Sequence, residues 1–251
     1  MSNLKGKTAI VTGGSRDIGR SCAVKLGQEG CNVVVNFNSN QAAADETVAA
    51  VKAAGGKATA VKGDMTKKAD VESLIAQTQK AYGKDIGVLV NNVGGLIARK
   101  KLPEMDEDFL NEVMFLNFNS TFLVTQAVVP HMPSGSSIVN LASLAGRDGG
   151  GGGASAYSAS KGAVITFTRS MAKELGPQGI RVNALCPGMI DTTFHDTFTP
   201  DAARKNLEAN VPMRRQGHPD DCADTVVYLA SDKSSYITGA NIDINGGLFF
   251  S

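Results

Sequence analysis

The sequence predicts an α/β fold in which helices cover both faces of a doubly wound parallel sheet of about seven strands. Short apolar runs alternate with longer amphipathic stretches along the whole chain. The runs are largely apolar, as strands are when both faces of a sheet are covered. No linker or repeat interrupts the 251 residues, so we expect a single domain over residues 1–251.

Seven apolar runs are predicted strands, and five amphipathic stretches are predicted helices. The predicted strands are Thr8–Val11, Val33–Phe37, Ala58–Val61, Gly87–Val90, Ser137–Leu141, Arg181–Leu185 and Asn241–Ile244. The predicted helices are Ala42–Ala53, Ala69–Ala81, Asp106–Val128, Ser158–Leu175 and Asp220–Ala230. Right-handed crossovers are expected between the strands. Two segments show neither pattern: the five glycines Gly149–Gly153 and the polar stretch Gly188–Val211.

Composition argues against several classes of partner. The net charge is +1, so no basic surface for nucleic acid or an anionic membrane is expected. The polar segment Met1–Lys7 precedes an apolar run that is far too short for a signal peptide or a membrane span. Four scattered cysteines without a CxxC pair predict reduced thiols, no metal site and a cytoplasmic protein.

A glycine-rich turn joins the first predicted strand to a helix. Glycines let backbone N–H groups approach a pyrophosphate, which then lies at the positive N-terminus of the helix. The turn opens the first strand–turn–helix unit, the place where dinucleotide folds bind their cofactor. Its candidate cofactor residues are Gly13, Gly14, Ser15, Arg16, Asp17, Ile18 and Gly19.

Tyr157 and Lys161 lie four positions apart, which places the phenol and the ammonium on one face of a helix. A nearby cation favours phenolate, so we expect Lys161 to lower the pKa of Tyr157. Such a phenol can give a proton to a carbonyl oxygen or accept one from an alcohol. Ser143 follows the fifth predicted strand, at the sheet edge where open α/β sheets bind ligands.

Taken together, the turn, Ser143, Tyr157 and Lys161 resemble the short-chain dehydrogenase/reductase family, and the resemblance runs nearly from end to end. It implies a Rossmann-type fold and hydride transfer between a nicotinamide cofactor and a ketone or aldehyde carbon. Tyr157 would be the general acid, Ser143 would polarise the substrate oxygen, and Lys161 would also bind the nicotinamide ribose. Asn117 matches the family's fourth catalytic residue, which holds a water linking Lys161 to solvent.

The resemblance implies further cofactor contacts. Besides Tyr157 and Lys161, they are Asn36, Phe37, Asn38, Asp64, Met65, Asn91, Val93, Gly94, Pro187, Gly188, Ile190 and Thr192. No acid follows the second strand to bind the ribose diol of NAD, and no base to bind the extra phosphate of NADP. Asp17 replaces the family's middle glycine and would offset Arg16, which in relatives reaches that phosphate. We therefore expect NADH to be favoured over NADPH, with NADPH as the close alternative.

Substrate residues are predicted from charge and position. The basic clusters Arg99–Lys101, Arg147 and Arg214–Arg215 suit an anionic substrate, although solvated surfaces carry such clusters too. The segment 188–211 resembles the family's substrate lid, and Phe194 and His195 could face the pocket. His195 is expected to be a lid-packing or an exposed histidine rather than a catalytic base. Gly149 begins a glycine run that must pass near the pocket mouth, or that forms a flexible surface loop.

Within the family, the chain resembles reductases of uronate-derived α-keto acids, including the unsaturated product of alginate breakdown. The competing subfamily is the 3-oxoacyl-carrier-protein reductases. A lyase or epimerase on the same scaffold, or a nucleotide-binding protein without catalysis, are the alternatives from other classes. The resemblance also implies a homotetramer built on paired long helices and on the C-terminal segment.

Overall fold

In the computed structural model, which describes residues 3–199, 204 and 208–250, seven strands form one parallel sheet in the order β3-β2-β1-β4-β5-β6-β7. The strands are β1 Thr8–Val11, β2 Asn32–Phe37, β3 Lys57–Lys62, β4 Val88–Asn91, β5 Ser137–Leu141, β6 Arg181–Pro187 and β7 Asn241–Ile244. The order reverses between β1 and β4, as in a doubly wound sheet, so the predicted fold class is confirmed.

Helices cover both faces of the sheet. They are α1 Asp17–Gln28, α2 Gln41–Ala53, α3 Lys68–Tyr82, α4 Glu107–Met114, α5 Ser120–Val128, α6 Ala145–Asp148, α7 Ser155–Leu175, α8 Thr193–Phe198 and α9 Pro219–Ala230. A short π-helical segment, Phe115–Asn119, joins α4 to α5.

Side chains alternate along the strands and so divide the core into two layers. Val11 of β1 packs with Leu26 of α1 and Val226 of α9 on one face. Ile10, its neighbour in β1, packs with Leu74 of α3 and with residues of α5 and α7 on the other. The five inner strands are thereby largely buried on both sides, which explains their apolar character, whereas the edge strands β3 and β7 are partly exposed and carry polar residues.

The long predicted helix at 106–128 is interrupted in the structure. Its apolar period continues through Phe115–Asn119, but these residues form a π-helical turn instead of a regular α-helical one. The whole stretch Glu107–His131 is long and apolar enough to cross a membrane by length and composition alone. The core helix of a folded domain passes the same test, and here α5 packs on α3 and β4.

Parallel strands end at one edge of the sheet, and this edge positions the candidate site. The glycine-rich turn leaves β1, the segment 92–101 leaves β4, Ser143 follows β5, and Gly188 follows β6. Strands β4 and β5 lie between β1 and β6. A cleft at this edge therefore has the turn on one side and the segment after β6 on the other.

Candidate active site

The glycine-rich turn is fixed by its own backbone. The N–H of Gly14 donates to the carbonyl of Asn36 at 2.8 Å, and the N–H of Gly13 donates to the Asn36 side-chain oxygen at 3.2 Å. A Cβ at Gly19 would lie 2.4 Å from the carbonyl oxygen of Gly13. Only glycine fits there, and the first N–H groups of α1, which no helical residue can bind, are left to face an anion.

Asp17 departs from a glycine turn in structure as well as in sequence. Its φ of 50° lies in the left-handed region, which aspartate tolerates better than most residues. Its carboxylate accepts a hydrogen bond from the Thr193 hydroxyl at 2.6 Å and one from the Thr193 N–H at 3.3 Å. Arg16 donates to the same hydroxyl at 2.6 Å. The turn is thus joined directly to the start of α8.

The end of β2 offers fewer cofactor contacts than expected. Asn36 and Phe37 are buried, and the Asn36 amide donates to the carbonyls of Val61 and Gly63. These two side chains hold the turn and the core, so only their backbones could touch a nucleotide. Asn38 is exposed beside them. Among the predicted contacts at this strand end, its side chain is the exposed one and could reach a ribose.

Asp64 and Met65 follow β3 and differ in their surroundings. Burial raises the pKa of Asp64, but hydrogen bonds from Thr66 and the charge of Lys67 outweigh it, so the pKa is lowered. The Thr66 hydroxyl donates to the Asp64 carboxylate at 2.7 Å. Asp64 is therefore an ionised acceptor at neutral pH. The Met65 side chain is buried in the core, which leaves its backbone for the cofactor.

Buried amides and hydroxyls link the sheet to the helices that carry the catalytic residues. The Asn91 amide donates to Thr125 of α5 at 3.0 Å and to Asn140 of β5 at 2.9 Å. Asn140 in turn donates to Thr168 of α7 at 2.9 Å. The chain fixes α5 and α7 against the central strands. The side-chain oxygen of Asn91 is buried with no hydrogen-bond donor among the described residues.

Lys161 and Asn117 meet beneath Gly94. A Cβ on Gly94 would lie 2.6 Å from Oδ1 of Asn117 and 2.9 Å from Nζ of Lys161. Lys161 is buried, and its ammonium donates to the carbonyl of Leu141 at 2.7 Å. Asn117 grips the next residue, because its Oδ1 accepts from the N–H of Gly95 and its Nδ2 donates to the Gly95 carbonyl. The segment after β4, the π-helical segment and α7 thus meet at Gly94.

Asn117 lies within the π-helical segment, and π-turns often occur at functional sites. Its Nδ2 also donates to the carbonyl of Val113 at 3.0 Å. Its side chain therefore locks the segment after β4 to α4. The expected role of holding a water beside Lys161 remains a prediction.

The ionisation of Tyr157 differs from the sequence expectation. Burial raises the pKa of Tyr157, and a hydrogen bond with Ser143 only partly opposes it. The expected lowering by Lys161 is wrong for this structure, because Nζ lies 5.9 Å from the centre of the Tyr157 ring and is bound to Leu141. At neutral pH the phenol therefore keeps its proton, the form needed to protonate a carbonyl oxygen.

Lys161 titrates nearer to neutrality than a free lysine. Burial lowers its pKa to about 8, although the neighbouring Cys186 acts in the opposite direction. Burial in turn raises the pKa of Cys186 to about 11, so that thiol is neutral at physiological pH. Lys161 is then the titratable cation of the pocket, and its charge is lost as pH rises through about 8.

The segment after β6 covers Tyr157. The Phe194 ring lies 6.1 Å from the Tyr157 ring and 5.1 Å from the imidazole of His195. Burial and the charge of Arg204 lower the pKa of His195, and its Nδ1 is 2.9 Å from the Thr199 hydroxyl. His195 is thus a neutral residue packed within α8, as expected. Residues 200–203 and 205–207 of the predicted lid lie outside the described residues.

The other predicted contacts after β6 are placed by backbone bonds. The N–H of Gly188 donates to Ile244 at 2.9 Å, and a Cβ there would lie 2.8 Å from Cβ of Asn245. Pro187 ends β6, Ile190 is buried, and the hydroxyl of Thr192 donates to the carbonyl of Ile190. These contacts hold residues 187–192 in place where the chain enters the cleft.

The five glycines Gly149–Gly153 hold the Arg99 side chain in place. The Arg99 guanidinium donates to the carbonyl of Gly152 at 3.1 Å, and a Cβ on Gly153 would lie 3.1 Å from the Arg99 Cβ. Gly149, Gly150 and Gly153 have φ of 88°, 70° and 74°, which other residues adopt only with strain. The run is therefore docked on the segment after β4.

Most of the other predicted basic residues are engaged elsewhere. Arg147 forms an ion pair with Asp243 at 3.4 Å, with both side chains largely buried, and lies against the Phe249 ring. It is therefore not a free cation for substrate. Arg215 pairs with Asp221 at 2.8 Å, and the Lys100 ammonium lies 4.3 Å from the centre of the Phe109 ring. Arg99 lies within electrostatic range of His195, and Arg214 donates to the carbonyl of Ala209 in the predicted lid.

Two residues important to the site were not predicted. Arg204 pairs with Asp191 and, at 2.7 Å, with Asp196, and so ties α8 to the end of β6. The Thr193 hydroxyl accepts from Arg16 and donates to Asp17 of the turn. The spacing of Arg204 from two nearby acids was the available signal for that pair, whereas nothing local links Thr193 to a turn 176 residues away.

Comparison with known proteins identifies relatives over nearly the whole chain. A family model described as Enoyl-(Acyl carrier protein) reductase matches residues 13–249. The 3-oxoacyl-[acyl-carrier-protein] reductase FabG of Staphylococcus epidermidis is 38% identical, over 97% of this chain and 99% of the relative.

Solved structures are also similar to this chain over nearly its whole length. A short-chain dehydrogenase/reductase from Serratia marcescens BCRC 10948 superposes with a TM-score of 0.91 at 33% identity, over 98% of both chains. An NADH-dependent reductase, A1-R′, responsible for alginate metabolism, has a TM-score of 0.91 at 31% identity, over 99% of both chains.

Proposed function

The chain belongs to the short-chain dehydrogenase/reductase family, and we propose that it reduces the carbonyl group of a small anionic substrate, an α-keto acid derived from a uronate. Membership of the family makes it an NAD(P)-dependent oxidoreductase acting on CH–OH groups. The observation that carries the finer proposal is the geometry around Tyr157. A protonated phenol beside Ser143 lies under an aromatic lid, and an arginine stands at the rim.

The residues present fit a nicotinamide dinucleotide. The cleft wall at Gly19 has no room for a Cβ, and the same holds at Gly94, where a side chain would strike Asn117 and Lys161. The turn after β1 would hold the pyrophosphate, Asp64 the adenine, and Lys161 the nicotinamide ribose. When bound, the nicotinamide supplies the hydride.

The chain's own residues supply the proton and the polarisation. Tyr157, neutral at physiological pH, donates its proton to the carbonyl oxygen as negative charge develops there. Ser143 donates a second hydrogen bond to the same oxygen from the end of β5. Donors that are already in place stabilise the developing charge without reorganisation. Lys161, held by Leu141, keeps a positive charge next to this site.

Arg99 favours a small carboxylate substrate over a large acidic partner. Of the predicted basic clusters, Arg147 and Arg215 are consumed in internal ion pairs. A guanidinium fixed by the glycine run matches one planar carboxylate, which it can bind through two parallel hydrogen bonds. The alginate-metabolism reductase A1-R′ supports the uronate class as a structural relative.

A second candidate is 3-oxoacyl-[acyl-carrier-protein] reduction, favoured by the 38% identity to FabG. That activity would need a surface that receives an acidic carrier protein, and a substrate without a carboxylate beside its ketone. A non-catalytic nucleotide-binding protein is disfavoured by the presence of Ser143, Asn117, Tyr157 and Lys161 in family order.

A substrate screen tests the proposal. α-Keto acids derived from uronates, 3-oxoacyl thioesters and neutral ketones would be compared by loss of absorbance of NADH and of NADPH. We expect the uronate-derived acids to be reduced fastest, and Arg99→Ala to raise their KM while sparing neutral ketones. Preference for acyl thioesters would support the second candidate, and turnover of no carbonyl would support the third.

For the cofactor we propose NADH in preference to NADPH. Arg16, the cation that could meet a 2′-phosphate, lies 3.8 Å from the Asp17 carboxylate and donates to Thr193. Removing the carboxylate in Asp17→Gly should improve NADPH use relative to NADH. Steady-state kinetics with both cofactors would show this, and an unchanged ratio would remove Asp17 from cofactor selection.

We also propose that the chain assembles as a homotetramer in the cytoplasm. Leu110, Phe115 and Phe122 are 44%, 50% and 40% exposed along α4, the π-segment and α5, and Phe250 is 84% exposed near the C-terminus. Exposed apolar faces of this kind favour association with a second copy. Light scattering of the wild-type protein and of a Phe122→Glu variant would report the assembly.

A further inference from the structure

One contact crosses the cleft between its two walls. On one side stand Arg16 and Asp17, at the start of α1, and on the other Thr193, the first residue of α8. The Thr193 hydroxyl accepts from Arg16 and donates to Asp17, both at 2.6 Å, and the Thr193 N–H also reaches Asp17 at 3.3 Å. The Thr193 hydroxyl thus accepts a hydrogen bond from the arginine and donates one to the aspartate.

The position of this contact matters more than its strength. Strands β4 and β5 separate β1 from β6, so the contact spans the edge at which open sheets bind nucleotides. A dinucleotide lying along the turn toward Lys161 must pass beneath it. α8 also carries Phe194, whose ring covers Tyr157. Movement of Thr193 would therefore open both the cofactor cleft and the pocket.

The contact is suited to opening. Thr193 and Arg16 are exposed, and surface hydrogen bonds and ion pairs contribute little net stability. Asp17 holds a φ of 50° that glycine would adopt with less strain, so the carboxylate is present despite a local backbone cost. Among the described residues, the Asp17 carboxylate accepts its hydrogen bonds from Thr193 and has Arg16 as its ion-pair partner.

We propose that Asp17, Thr193 and Arg16 form a latch over the nucleotide cleft, and that the cofactor can enter or leave only when the latch is open. Asp17 and Thr193 are positioning residues for α8 and take no part in the transfer of hydride or proton. The proposal rests on the nucleotide binding that belongs to the family and not on the identity of the substrate.

The test compares nucleotide exchange in the wild type and three variants by stopped-flow measurement of NADH fluorescence, and adds Asp17→Gly and the Asp17→Gly/Thr193→Val double variant for hydrogen exchange. Thr193→Val removes the hydroxyl without changing charge, and Thr193→Ser restores it. Thr197→Val is the matched control, because the Thr197 hydroxyl bonds to the Thr193 carbonyl within α8 and lies outside the latch. Hydrogen exchange of residues 193–198 in the nucleotide-free proteins gives a second readout that does not depend on turnover.

In Thr193→Val we expect the association and dissociation rate constants of NADH to rise together by about fivefold to tenfold, the scale of one lost hydrogen bond of ordinary net strength. The ratio of the two constants should change little. Exchange of α8 amides should speed up in parallel, whereas Thr193→Ser and Thr197→Val should resemble wild type. Adding Asp17→Gly to Thr193→Val should speed α8 exchange by less than the product of the two single effects, because both substitutions remove the same hydrogen bond.

Two results would overturn the latch. One is wild-type nucleotide exchange kinetics in Thr193→Val. The other is additive effects of the two substitutions on exchange of α8, which would show that the residues act independently. Either result would leave the proposed reductase activity untouched, because that activity is measured with saturating cofactor.

Discussion

The glycine-rich turn and the segment after β6 face each other across one cleft, yet different forces hold them. The turn is fixed by backbone bonds to Asn36 and by the absence of room for a Cβ at Gly19. The opposite wall has backbone bonds as far as Asp191, but its helix α8 is held by side chains, through Arg204 with Asp191 and Asp196 and through Thr193 with Asp17. Both acids paired with Arg204 are 61% exposed, so these pairs contribute little to stability.

The difference shows which contacts keep the geometry of the site and which ones open to admit ligands. Groups that must keep their geometry, such as Lys161 beneath Gly94, are enclosed by backbone and buried amides. Groups that must admit and release ligands are joined by exposed contacts that break at small cost. Substitutions on the rigid side should therefore reduce turnover, whereas those on the open side should change exchange rates and KM.

The largest effect is expected at Tyr157. Tyr157→Phe removes the proton donor but keeps the ring against Phe194, so nucleotide binding should persist. Turnover should fall by about 10²–10⁴, the usual contribution of a general acid. Single-turnover kinetics with NADH, alongside fluorescence titration of binding, would measure both. Full activity in this variant would refute the acid assignment.

Substitutions at the adjacent glycines Gly94 and Gly95 test whether turnover depends on the close enclosure of Lys161. Gly94→Ala places a Cβ 2.9 Å from the ammonium and 2.6 Å from Asn117, so one of them must move. We expect kcat to fall by about 100-fold, since a displacement near 1 Å can have that effect. Gly95→Ala is the control, with no atom within 4 Å of the added carbon. Equal losses in both variants would contradict the account.

The charge of Lys161 predicts a pH dependence. Its pKa is lowered to about 8, so the cation is complete below that pH and is lost above it. The kcat/KM for reduction should therefore decline as pH rises through about 8, by about tenfold per unit. Lys161→Arg stays charged over this range, so its residual kcat/KM should not decline with pH there. The same decline in Lys161→Arg would assign the titration to another group.

The smallest effect is expected at the rim. Gly153→Ala adds a Cβ 3.1 Å from Cβ of Arg99 at a φ of 74°, and so should displace that guanidinium. The KM for an anionic substrate should rise by about tenfold, as for one weakened charged hydrogen bond, with kcat little changed. Gly152→Ala has open space around the added carbon and should behave as wild type. An unchanged KM in Gly153→Ala would remove Arg99 from substrate binding.

The sequence predicted the sheet well because its strands are buried on both faces and bounded by polar or glycine residues. The bounds of β1, β5 and β7 match, and the catalytic residues follow the expected strands and helix. The π-helical turn at Asn117 could not be predicted, because it depends on the grip of that amide on Gly95, 22 residues away. The helical period of the sequence continues through it unchanged.

Charge and ionisation were harder to predict than topology. Arg147 reads as a free cation, but it pairs with Asp243, 96 residues along the chain. The pKa of Tyr157 depends on burial, which spacing from Lys161 cannot reveal, and so the predicted direction was wrong. The same limit applies to Thr193, whose partners lie on a different wall of the cleft.

A crystal structure with bound NADH and a non-reacting keto-acid analogue tests the central claim most directly. We predict that the hydroxyls of Tyr157 and Ser143 both lie within hydrogen-bond distance of the analogue's ketone oxygen, on the side facing the nicotinamide. A structure in which the Tyr157 hydroxyl points away, with another side chain beside that oxygen, would contradict the account.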